Sequence, residues 1–157
     1  MFFFPFADEN PTSKKPIISW LIIFACSSIF LNQILDPIYI TEQNFLSFGM
    51  IPAILFGHSE LSGHLKIIPP FLSIFTSMFL HGGWMHIIGN MTYLYIFGDN
   101  IEERLGKLKF IIFYLVTGSV AAFSQAIIDP TSTIPMIGAS GALSLIHISE
   151  PTRPIDI

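Results

Sequence analysis

Three polar side chains, His81, His86 and Asn90, interrupt an apolar stretch, and a serine stands among small residues in Gly138-Ala-Ser-Gly-Ala142. A serine hydroxyl can serve as the nucleophile of acyl transfer, and polar side chains inside an apolar helix are usually functional. His86 and Asn90 are four residues apart and share one helical face. His81 is five before His86, which turns it about 140° away at ~100° per residue, as a cap or brace at the helix end. Gly138 and Gly141 beside Ser140 allow another backbone, or a substrate strand, to approach closely. A serine in the first turn of a helix also has free backbone N–H groups beside it. The hydrolase elbow G-x-S-x-G is not met, because the second glycine stands at 141 and not 142. The plainer readings are side chains that hydrogen-bond a neighbouring helix and small residues that let helices touch. A zinc site of the H-E-x-x-H kind does not fit, since no Glu lies between His81 and His86 and their spacing is five. His58 and His64 fall in a polar stretch and read as solvated.

The elements that must hold these groups are membrane helices. The chain of 157 residues is 52% hydrophobic and 11% charged, with 16 Phe and a mean hydropathy of +0.65. Soluble domains average roughly 25% charged residues. A net charge of -4 leaves no nucleic-acid footprint. The single cysteine, Cys26, allows no internal disulfide and reads as a packed small residue. The first helix is expected over about Pro16 to Leu35, long enough for ~30 Å of hydrocarbon and stopped by Asp36-Pro37. It outruns the core of a signal peptide, and no small-residue cleavage site follows it. Residues 38–70 read as a long loop, with the apolar piece 45–56 interfacial or re-entrant because Gly49 and Pro52 break it. The second helix is expected from about Phe71 to Phe97, with a charged connector over 98–106. A third follows over about Leu108 to Ile128, where Gly118-Ser-Val-Ala-Ala122 suits close packing, and a fourth starts near Gly138. The expected fold is an all-α polytopic bundle of about three complete helices plus the start of a fourth.

Lys14 and Lys15 precede the first helix, and Arg104, Lys107 and Lys109 lie between the second and third, whereas 38–70 has only Lys66 and 129–137 has no cation. The positive-inside rule puts the N-terminus and the connector in the cytoplasm. The second and fourth helices then both start at the outer face, so His81, His86, Asn90 and Ser140 can meet at similar depth.

These residues resemble a known family. His81-x4-His86-x3-Asn90 resembles the second-helix motif of rhomboid intramembrane serine proteases, and Gly98-x3-Glu102-x-Arg104-x-Gly106 resembles the connector after it. Gly138-Ala-Ser140-Gly141 resembles their nucleophile motif, while Asp8-Glu-Asn-Pro11 and Ile51-Pro-Ala53 look like those of bacterial members. The resemblance covers about residues 1–143. It implies an integral protein of the bacterial inner membrane that cleaves transmembrane segments of other membrane proteins without metal or cofactor. It makes Ser140 the nucleophile of a Ser–His dyad, with His86 and Asn90 joining the Ser140 N–H in an oxyanion hole. His81 would support the helix end, and Glu102 and Arg104 would tie down the connector.

The same resemblance sets an expectation of incompleteness. The family's general-base histidine sits on a sixth helix. His147 is seven residues after Ser140, about 10.5 Å along a helix, and a base must come within roughly 3 Å. From Ser144 the chain turns polar, carries Pro151 and Pro154, and resembles a translated sequencing adaptor. The expected organisation is a cytoplasmic segment 1–15, a truncated rhomboid domain 16–143 and a non-native tail 144–157, inactive as it stands. The alternative is a non-catalytic rhomboid-like protein that binds client transmembrane helices.

Overall fold

The computed structural model describes residues 15–143; the expected tail from Ser144, with His147, and the opening motif at Asp8 lie outside the described residues. Helix α1 (Ile17–Leu35) is a 19-residue apolar run, roughly 28 Å long at 1.5 Å per residue. Pro37 cannot continue it. The Thr41 hydroxyl instead donates to the freed Gln33 carbonyl at 2.8 Å. The stretch expected as a loop contains two helices, α2 (Ile38–Phe48) and α3 (Pro52–Leu55), with 3-10 turns at Gly63–Leu65 and Pro70–Leu72. At 11 and four residues, α2 and α3 are too short to cross a bilayer, as Gly49 and Pro52 led us to expect.

The second expected helix is a broken one. Helix α4 (Ser73–Thr76) runs into a 3-10 turn at Ser77–Phe79, the chain extends through Leu80, and α5 (Trp84–Leu105) starts afresh. The two pieces meet at 83°. Gly82-Gly83 is the local cause, since neither residue favours helix and Gly83 is fully extended. The expected connector over 98–106 is corrected too. Helix α5 continues through Ile101, Glu102, Arg104 and Leu105, all tolerant of helix, and only Gly106 turns the chain, at φ +78°. Helix α6 (Lys107–Ile128) follows at once, and helical backbone resumes at Ser140. Among the described residues there is no strand, only a backbone bridge between Met50 and Met136.

Helices α1 and α5 run antiparallel in close contact. At one end, a Cβ on Gly98 would lie 2.8 Å from the Ser19 hydroxyl. At the other, the rings of Phe30 and Trp84 meet edge to face at 5.1 Å. Cys26, Leu94, Phe110 and Tyr114 fill the core between α1, α5 and α6. The outward faces stay apolar, with Phe24 71% and Ile127 57% exposed. Such faces match lipid and not water. By length and composition α1 and α6 can each cross a membrane, and the broken pair can form a third span.

Glu102 fastens this frame. Its carboxylate accepts from the backbone N–H groups of Ile18 and Ser19, at 3.0 and 2.9 Å, and from the Ser19 hydroxyl at 3.0 Å. These are first-turn donors of α1 that no helical carbonyl can satisfy. We therefore expect Glu102→Ala to lower stability by about 1–3 kcal/mol, through several buried donors left unpaired. Thermal unfolding in detergent would read this, with exposed Arg104→Ala shifting it by less than about 0.5 kcal/mol.

Candidate active site

The two loops at the far end from Glu102 are paired through their backbones. Met50 and Met136 exchange hydrogen bonds at 3.1 and 2.8 Å, and the Ala53 N–H donates to Ser132 at 2.9 Å. This pairing places the segment before Ser140 over the start of α5. Gly138 is held there by its N–H, which donates to the Ser77 carbonyl at 2.8 Å.

Gly138 has φ +108° and lies flat against the His86 ring. A Cβ at this position would stand 2.5 Å from both Cε1 and Nε2 of His86, and 3.6 Å from Nδ2 of Asn90. The site thus needs glycine twice over, for the backbone angle and for the ring. His86 is in the first turn of α5 and half-buried; Asn90 is one turn deeper and buried. Its Nδ2 is enclosed and has no hydrogen-bond partner. A buried amide donor left open is costly unless something else accepts from it.

Ser140 is the first helical residue after Gly138, and it is exposed. It lines a cleft of about 260 Å³ together with Gly138, Gly141, Gly118 and Ala121. Here the small-residue patch of α6 does what its composition suggested. A Cβ on Gly141 would meet the Ala121 Cβ at 2.5 Å, so the Ser140 helix is seated directly on α6. His86 and Asn90 do not line that cleft; they flank Gly138, two residues before the serine. The structure therefore gathers His81, His86, Asn90 and Gly138 around one point, with Ser140 next to it along the chain.

His81 is placed differently from the helical-wheel expectation. It lies in the break before α5, buried, with its ring edge to face with that of His86 at a centroid distance of 5.2 Å. His81 and His86 do not belong to one continuous helix, so the ~100° per residue spacing does not relate them. Its Nδ1 is 3.3 Å from the Phe79 carbonyl, while Nε2 is enclosed without a partner. Gln33 is the residue that sequence reasoning missed. Buried in α1, it accepts from the His81 N–H and donates to the His81 carbonyl, both at 3.4 Å. An amide inside an apolar helix, beside Asn32, was the available signal. Glu102 braces α1 and not a connector loop, and Arg104 is exposed. His58 and His64 are exposed. Among the described residues no three His, Cys, Asp or Glu side chains converge as metal ligands would.

Residues 70–146 match the Rhomboid domain. The matched stretch contains the broken span, both polar clusters and α6. The chain is 35% identical over 75 residues to Rhomboid-like protein 11, chloroplastic, of Arabidopsis thaliana, covering 48% of this chain and 26% of that protein. It is 34% identical over 70 residues to RHOMBOID-like protein 6, mitochondrial, of the same plant, covering 45% and 22%. It is 29% identical over 70 residues to YdcA of Bacillus subtilis, named as a candidate rhomboid protease, covering 45% and 35%. The matches thus span between about a fifth and a third of each relative's length. These comparisons support the rhomboid family, and with the apolar helices they support an integral membrane protein.

The candidate site's tightest contact is directly testable. Gly138→Ala is expected to cost about 1–3 kcal/mol from overpacking and backbone strain, and to move the ring resonances of His86. Gly89→Ala, where nothing lies within 4 Å of the new Cβ, should leave those resonances in place and stability equal or higher.

Proposed function

We propose that this chain is part of an intramembrane serine endopeptidase that cuts transmembrane segments of other membrane proteins. The observation that carries the reading is the open Nδ2 of buried Asn90 beside His86 and Gly138, just before a helix that starts at Ser140. In this reading Ser140 Oγ attacks the scissile carbonyl. The developing oxyanion is received by the Ser140 backbone N–H, the His86 ring and the Asn90 amide. The dyad base is a histidine outside residues 15–143, since His86 is given the donor's task. Gly138 keeps the cleft open to an extended substrate strand, because a transmembrane helix must unwind before any of its bonds can be attacked.

Orientation belongs to the same proposal. Lys15 and Lys107 line one small cleft with Glu102, so the start of α1 and the turn between α5 and α6 share an end of the bundle. Positive charge gathered there favours the cytoplasmic side, with Ser140 near the outer face of a bacterial inner membrane.

The test is cleavage of a single-span reporter in proteoliposomes, using a chain extended to the length of the relatives. Ser140→Ala should lower the rate by roughly 10³-fold or more. Asn90→Ala and His86→Ala should each lower it by roughly 10²–10³-fold. The 157 residues alone should leave the reporter intact. Unchanged cleavage in Ser140→Ala would remove the nucleophile assignment. A reporter that is bound and never cut would leave a client-binding protein without catalysis.

A further inference from the structure

A second cavity lies away from the candidate active site, in the segment between α1 and the broken span. It measures about 580 Å³, within the roughly 300–1,000 Å³ range of ligand pockets. Ile51, Ile54, Ile67 and Ile68 give it apolar walls. Two opposite charges also line it, Glu60 and Lys66, and both side chains are largely exposed, which puts them at its rim. The 3-10 turn at Gly63–Leu65 folds the chain back so that Lys66 Nζ reaches Glu60 Oε2 at 2.7 Å. That hydrogen bond, and then the lysine's charge, hold the Glu60 carboxyl below its ordinary range, so the pair is ionic. Beside it the surface is apolar: Ile67 is 58% and Phe71 59% exposed. In a membrane protein such residues face the bilayer's interfacial zone.

From this juxtaposition we propose that the cavity is a binding site for one zwitterionic phospholipid of the surrounding membrane. Its acyl chain lies among the four isoleucines, its phosphate on Lys66 and its ammonium on Glu60. The charge pattern selects the occupant. A fatty acid or an anionic lipid would satisfy Lys66 and bring a like charge to Glu60. A zwitterion can lie antiparallel to the Glu60–Lys66 pair, phosphate on the lysine and ammonium on the glutamate, without breaking it. The inference rests on membrane integration and is independent of the protease reading.

The test uses the full chain, purified in mild detergent, stripped and reloaded with phosphatidylethanolamine, phosphatidylglycerol or oleate, and weighed by native mass spectrometry. One phosphatidylethanolamine should stay bound per chain, with the other two retained about tenfold less or weaker. Lys66→Ala and Glu60→Ala should each lower its retention by about tenfold or more. Ile54→Trp and, separately, Ile68→Phe should abolish it while helical content by circular dichroism and the melting temperature stay near wild type; if one of them unfolds, the other decides. Equal retention in the filled-cavity variants would reduce the lipid to a non-specific annulus and overturn the site. Preference for phosphatidylglycerol or oleate, or indifference to Glu60→Ala, would overturn the zwitterion assignment.

Discussion

Only a hydrogen fits on the Cα of residue 138 while the His86 ring stays where it is. That exclusion sets the rest of the site. The ring can lie flat on the backbone because His86 is in the first turn of α5, and α5 starts there because the chain breaks at Leu80–Gly83. Asn90 follows one turn deeper, aimed at the same glycine, and the helix of Ser140 begins two residues after it. A side chain at 138 would collide with the His86 ring on α5. The site is therefore held by an absence of atoms at one position and by hydrogen bonds that keep the flanking backbone in place.

A broken span is expensive in lipid, where no water pairs the freed N–H and C=O groups. The bundle answers locally. Gln33 pairs with both backbone groups of His81, and the Ser77 carbonyl takes the Gly138 N–H. At the opposite end Glu102 satisfies the first donors of α1. Helix α1 is thus tied to α5 at both ends by polar residues, with apolar packing between.

Much of this was legible in the amino-acid sequence. The length and apolar content of 17–35 and 107–128 marked two spans, and Pro37 marked the end of the first. The spacing of His86 and Asn90 put them on one face, and the small residues of 118–122 marked where another helix would sit. The break was not read, although Gly82-Gly83 was visible, because hydropathy runs on through Leu80 and hides a change of backbone direction. The charged residues of 98–106 look like a connector, but helix propensity tolerates them and α1 offers Glu102 buried partners. Gln33 was passed over because its partner is a backbone 48 residues away, which no local pattern reports.

The most direct test of the account is the contact between Gly138 and His86. In protein labelled for NMR in nanodiscs, the Gly138 Hα protons and the His86 Hε1 proton should give a strong nuclear Overhauser cross-peak. The ring protons of Phe30 and Trp84, 5.1 Å apart by centroid, provide the internal reference. A missing Gly138–His86 peak in a sample that shows the Phe30–Trp84 peak, with His86 instead close to lipid chains, would contradict the site described above.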